Sequence, residues 1–123
     1  MKKIVVIDGN KRDLKLISLI LNKNGIDVFE FTSGLEGINW LRNNKADVCL
    51  VDLQLPIISG IEILNDIHFD ERHINTKVIC MSDQSNFKQQ PILEYGFDGY
   101  ISKPINSKLF VDEIKKIVDY TIV

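Results

Sequence analysis

Residues 3–10 read KIVVIDGN: four apolar residues, Ile4–Ile7, stop at the carboxylate of Asp8, and the chain turns at Gly9. A short run with no polar alternation, rich in β-branched residues, reads as a strand buried on both faces. Two later stretches repeat the form. VCLVD (48–52) again ends in an acid, and VICMS (78–82) ends in a hydroxyl. Further runs occur at Val28–Phe31 and Tyr100–Ile101.

Between these runs the period changes from continuous to helical. Leu14, Ile17 and Leu21 share one helical face, as do Leu35, Ile38 and Leu41; Ile61, Leu64 and Ile67; and Phe110, Ile114 and Ile117. Gly25 and Gly96 read as stops for the first and fourth helices, and Asn106 or Ser107 as the cap of the last. Five strand–helix units mean a parallel sheet covered on both faces. A closed (β/α)8 barrel needs eight units and roughly 250 residues, so 123 residues form an open, doubly wound sheet in one domain, 1–123. The fourth helix is expected to be short or broken, because DQSNFKQQPILEY (83–95) carries Pro91.

Composition narrows the class. The formal net charge of −2 argues against a nucleic-acid surface, which carries a basic excess. No apolar run is long enough for a signal-peptide core or a membrane span. Cys49 and Cys80 lie inside strand-like runs without metal-ligand spacing, so they read as buried free thiols, in keeping with a cytoplasmic protein.

Ligands of an open parallel sheet bind beyond the carboxyl ends of its strands, where the strand order reverses. The predicted strands end at Asp8, Asp52 and Ser82, and the fifth leads to Lys103. A lone strand-end acid is commonly a cap or a solvated turn. Four complementary groups at four strand ends point instead to a site. Two close carboxylates favour a divalent cation or a raised pKa, and magnesium accepts carboxylates, a carbonyl and waters. A carboxylate can also attack phosphorus to give an aspartyl phosphate, with cations balancing the phosphoryl oxygens.

Four blocks, KIVVIDGN, ADVCLVDLQLPIISG (46–60), VICMS and GFDGYISKPI (96–105), resemble the receiver domain of two-component response regulators over the whole chain. The spacing of Asp52, Pro56 and Gly60, followed by Tyr100, Lys103 and Pro104, carries the likeness. It implies a flavodoxin-like (βα)5 fold with strand order 2-1-3-4-5. It implies that Asp52 accepts a phosphoryl group from the phosphohistidine of a histidine kinase or phosphotransfer protein. Asp8, Asp52 and the backbone carbonyl of Gln54 would hold Mg2+, Ser82 and Lys103 would contact the phosphoryl group, and Tyr100 would report the switched state. Pro56 and Gly60 would shape the turn, and Lys103–Pro104 would be a cis peptide. The output would be binding to another protein through the face of the fourth helix, fifth strand and fifth helix, with no nucleic-acid or membrane partner. Such a chain is a switch that phosphorylates, and slowly dephosphorylates, itself.

Two positions depart from the family. Gly9 stands where the family has a second, metal-binding acid, which implies weaker magnesium binding; Asn10 offers an amide oxygen only from the next position. Asp83 follows Ser82 where the family favours a small residue, and either partly replaces the missing acid or repels phosphate. Those departures support an alternative, a pseudo-receiver that binds partners without phosphorylation. Two enzyme readings fit less well. A haloacid-dehalogenase-like phosphatase wants an acid where Gln54 stands, and a flavodoxin wants a phosphate-cradling loop where DGNKRD (8–13) stands. Trp40 reads as partial core or surface.

Overall fold

The computed structural model describes residues 2–83 and 93–122. In chain order it contains β1 (Lys3–Ile7), α1 (Lys11–Lys23), β2 (Asp27–Phe31), α2 (Gly34–Asn43), β3 (Val48–Asp52), α3 (Gly60–His68), a 3-10 turn (Glu71–His73), β4 (Lys77–Asp83), β5 (Gly99–Lys103) and α4 (Phe110–Ile122). Helix α4 is the last of the helices expected from sequence. The segment with Pro91, on which a short fourth helix was expected, lies outside the described residues.

The strands form one parallel sheet in the order β2-β1-β3-β4-β5. Successive side chains of a strand point to opposite faces, and the buried runs divide accordingly. Ile4, Val6, Val48, Leu50, Ile79 and Met81 pack with Leu14, Ile17 and Leu21 of α1 and with Phe110 and Ile114 of α4. Val5, Ile7, Cys49, Val51, Val78 and Cys80 pack with Ile38 and Leu41 of α2 and Ile63, Leu64 and Ile67 of α3. The strand order reverses between β1 and β3, where Ile7 pairs with Val51. The next residues along, Asp8 and Asp52, therefore leave the sheet side by side.

Local signals set the helix entries. Asn10, Ser33 and Ser59 cap α1, α2 and α3 through side-chain oxygens that accept backbone N–H groups. Asn106 accepts from Lys108 and Leu109 N–H ahead of α4. Gly25, at φ 74°, follows α1, and Gly96, at φ 110°, precedes the turn into β5.

Two expectations are corrected. Leu35 is 55 % exposed rather than on the buried face of α2. The helix instead lays Gly37 against the sheet, so closely that a Cβ there would clash with the Ile7 side chain, and this rotates the stripe. Strand β4 runs one residue past Ser82, because Asp83 still pairs with Lys103 of β5. Cys49 and Cys80 are free and buried, and burial pushes both thiols up to about 12. Trp40 is partly buried, its ring 4.7 Å from that of Phe29.

Candidate functional site

The carboxyl edge of the sheet opens into a polar cleft of about 380 Å³ lined by Asn10, Asp13, Asp52, Gln54, Asp83, Lys103 and Pro104. Its floor is Asp8. That side chain is fully buried; Oδ1 accepts the Asn10 N–H at 2.8 Å, and Oδ2 lies 2.8 Å from Lys103 Nζ. Strand β3 ends at Asp52, whose Oδ1 accepts the Gln54 N–H at 3.1 Å and whose Oδ2 is 3.4 Å from the same Nζ. Asp13, from the first turn of α1, brings a third carboxylate to Nζ at 3.0 Å. One ammonium thus sits among three carboxylates.

The electrostatics follow from burial and crowding. Desolvation pushes the Asp8 carboxyl above the ordinary 3.8, the Asp52 charge adds to the push, and the Lys103 and Asn10 contacts only partly oppose it. Burial alone would lower Lys103, but the contacts with Asp8 and Asp13 and the field of Asp52 outweigh it and hold the ammonium above the ordinary 10.5. Three carboxylates and one ammonium leave a formal local charge of −2.

The loop after β3 is tight. Ile58 N–H donates to Pro56 C=O at 2.7 Å, across Ile57 at φ 69°: a γ-turn with a fully exposed β-branched residue at its strained centre. Pro56 faces residue 9, where an added Cβ would lie 3.8 Å from Pro56 Cδ. Gly60 is required by close approach. A Cβ there would fall 2.9 Å from the Asp52 carbonyl oxygen and 3.0 Å from Leu53 Cα, so the first residue of α3 rests on the backbone that carries Asp52.

The structure brings Asp8, Asp52, Gln54, Lys103 and Pro104 together, and Lys103–Pro104 is cis. Ser82 does not line the cleft. It is 1 % exposed, and its hydroxyl has no hydrogen-bond partner among the described residues. Tyr100 is half-buried in β5 against the core shared with α2 and α3. Asn10 is already engaged, its side-chain oxygen accepting from Arg12 and Asp13 N–H at 3.0 and 3.1 Å. Asp83 is an exposed wall of the cleft.

Residue spacing alone does not single out Asp13. The available signal was its position three residues after a capping asparagine. Side chains in a first helical turn lean back towards the helix N-terminus, which here means over the strand ends.

A model of the response regulator receiver domain matches residues 4–115. The chain belongs to the response regulator receiver family. This receiver is 30% identical over 116 residues to the polar-differentiation response regulator DivK of Brucella ovis, covering 93% of this chain and 94% of the relative. Its fold matches the chemotaxis response regulator CheY4 of Vibrio cholerae at a TM-score of 0.86 and 20% identity, over 95% of this chain and 98% of that one. It also matches the receiver domain of the Pseudomonas aeruginosa sensor histidine kinase PA1611, solved with magnesium in its active site cleft. That TM-score is 0.81 at 19% identity, over 97% and 95% of the two chains. No helix among the receiver's described residues is long and apolar enough to cross a membrane.

Whether the residues present suit a divalent cation is a question of charge and donors. The donors are hard oxygens, the type magnesium takes, and the formal charge of −2 matches it. Among the described residues, Asp8 Oδ2 is buried with no directed hydrogen bond and is met only by the Lys103 ammonium at 2.8 Å, so its present partner is itself a cation. Among the described residues, no three acid, histidine or cysteine side chains are already arranged as a metal cage; Lys103 holds the centre. The donor set fits, in chemistry and in charge.

Proposed function

We propose that this receiver is a phosphoacceptor switch in which Asp52 takes a phosphoryl group from a phosphohistidine. The observation that carries the reading is the Asp52 carboxylate at the end of β3, facing the cleft beside Lys103 and above the buried Asp8. An Asp52 oxygen attacks phosphorus in line, the P–O bond forms as the P–N bond breaks, and the imidazole leaves with a proton from solvent. Lys103, already within reach of Asp52, balances charge on the transferred oxygens. The Ser82 hydroxyl, buried and without a hydrogen-bond partner among the described residues, turns towards the cleft to donate to a phosphoryl oxygen. Asp8, Asp52 and the Gln54 carbonyl would hold Mg2+, which when bound supplies charge to the developing phosphoryl oxygens. In the Pseudomonas receiver, magnesium occupies the active site cleft, which supports the same use here.

The histidine donor is a kinase or a phosphotransfer protein. Moving Ser82 and Lys103 towards phosphate pulls on β4 and β5, and with them Tyr100 and α4, so a face there changes its packing and selects a protein target. A rival reading, a pseudo-receiver that binds without phosphorylation, is favoured by Gly9 and by Asp83 on the cleft wall. Intact-mass spectrometry after incubation with a small phosphodonor and magnesium separates them. A phosphate-sized gain that Asp52→Ala abolishes is expected. No gain from small donors or from the cognate kinase would leave the pseudo-receiver.

A further inference from the structure

The glycine at position 9 poses a specific question: what replaces the carboxylate that its family carries there? Backbone conformation does not demand glycine. Residue 9 is absent from the positive-φ residues, and an added Cβ would meet nothing closer than 3.8 Å. Asn10, the neighbour nearest in sequence, is occupied as the α1 cap. Asp83 borders the cleft, but no ion pair joins it to Lys103, whose carboxylate partners among the described residues are Asp8, Asp13 and Asp52.

We propose that Asp13 is the relocated acid: the cation site of this receiver is built from Asp8, Asp52 and Asp13, with the α1 carboxylate replacing the one missing at Gly9. Asp13 Oδ2 and Asp8 Oδ2 flank the same ammonium at 3.0 and 2.8 Å, so Lys103 marks the position at which a cation meets both. Among the described residues, Asp8 Oδ2 belongs to a fully buried side chain, makes no directed hydrogen bond and meets only the Lys103 ammonium at 2.8 Å, so it is a cation that holds it. A divalent ion entering from the cleft takes over the contacts with Asp8 and Asp13, and Lys103, on its flexible stem, withdraws to Asp52 or to phosphate there. Capping by Asn10 fixes the first turn and so points Asp13 at the strand ends. The reading rests on the receiver site proposed above.

Mn2+ binding, followed by electron paramagnetic resonance of the free ion on the unphosphorylated full chain, tests the assignment without any turnover. Circular dichroism melts check the folding of each variant. Asp13→Asn is expected to weaken Mn2+ binding at least about tenfold, the minimum for losing a supporting carboxylate. Asp83→Asn, which removes the same charge from the same cleft, is expected to leave affinity within about twofold of wild type, since an exposed charge is screened. Adding Gly9→Asp to Asp13→Asn is expected to restore binding. Affinity unchanged in Asp13→Asn while Asp52→Asn weakens it overturns the assignment and leaves the receiver site standing. Equal losses in Asp13→Asn and Asp83→Asn, or no recovery with Gly9→Asp, also overturn it. Absence of Mn2+ binding by the wild type overturns both the assignment and the magnesium site on which it rests.

Discussion

Gly60→Ala places one methyl group where the backbone of the reactive strand already sits. The new Cβ would lie 2.9 Å from the Asp52 carbonyl oxygen, 3.0 Å from Leu53 Cα and 3.4 Å from the Asp52 carbonyl carbon. None of these is a side chain that can rotate away, so either α3 or the end of β3 must shift by several tenths of an ångström. The Gly60 N–H bond to Leu53 C=O, at 3.3 Å, stretches with it. Overpacking of this kind costs about 1–3 kcal/mol. Alanine recovers part of that, up to about 1 kcal/mol, through its better helix propensity. The net loss is about 1–2 kcal/mol, or roughly 4–10 °C in Tm for a domain of this size. Displacing Asp52 is also expected to slow phosphoryl uptake on the order of tenfold. Thermal melts by circular dichroism, with intact-mass time courses, measure both effects. Gly9→Ala is the internal control: its Cβ has room, so it should melt at or slightly above the wild type. If Gly60→Ala melted with Gly9→Ala and took up phosphate at the wild-type rate, the close-approach argument would be wrong.

Removing Lys103 should expose the cost of the buried Asp8. Lys103→Met keeps the apolar stem but leaves an unpaired buried carboxylate, and a loss of about 3 kcal/mol in urea denaturation is expected, more than half of it recovered in Lys103→Met/Asp8→Asn. Asp8→Asn alone should melt above the wild type at neutral pH. Because the folded Asp8 pKa is raised above 3.8, this carboxyl holds its proton more in the folded than in the unfolded chain between those two pKa values, and its contribution to stability falls as pH rises from 3.8 through the folded pKa. The advantage of the variant should therefore shrink as pH is lowered towards 3.8. Ile57→Gly relieves a positive φ on a residue that is fully exposed. After the entropy cost of glycine, a gain of about 0.5–1 kcal/mol in the same denaturation assay is expected, and any loss would show that the γ-turn is not strained.

Much of the fold was legible because strand and helix periods are local. IVVI, VCLV and VICM could be read as doubly buried strands without knowing their neighbours, and Asn106 and Gly25 mark boundaries by their own chemistry. The periodicity of α2 places Leu35 on the buried stripe, but the orientation of that helix is set by Gly37 against Ile7, a contact between elements. Sequence ends β4 at Ser82, one residue short of the observed end, for a similar reason. Asp83 looks like a turn residue by itself and is held in the ladder only by its pairing with Lys103.

The sequence by itself determined that acids and a lysine would stand at the ends of parallel strands, since an apolar run terminates where its first charged residue must reach water or a partner. The tertiary structure alone decided which of those charges meet. It buried Ser82 out of the cleft lining and brought Asp13 of a neighbouring helix onto Lys103. Those outcomes depend on how α1 crosses the sheet edge and on angstrom-scale distances between elements, which residue spacing along a chain does not encode.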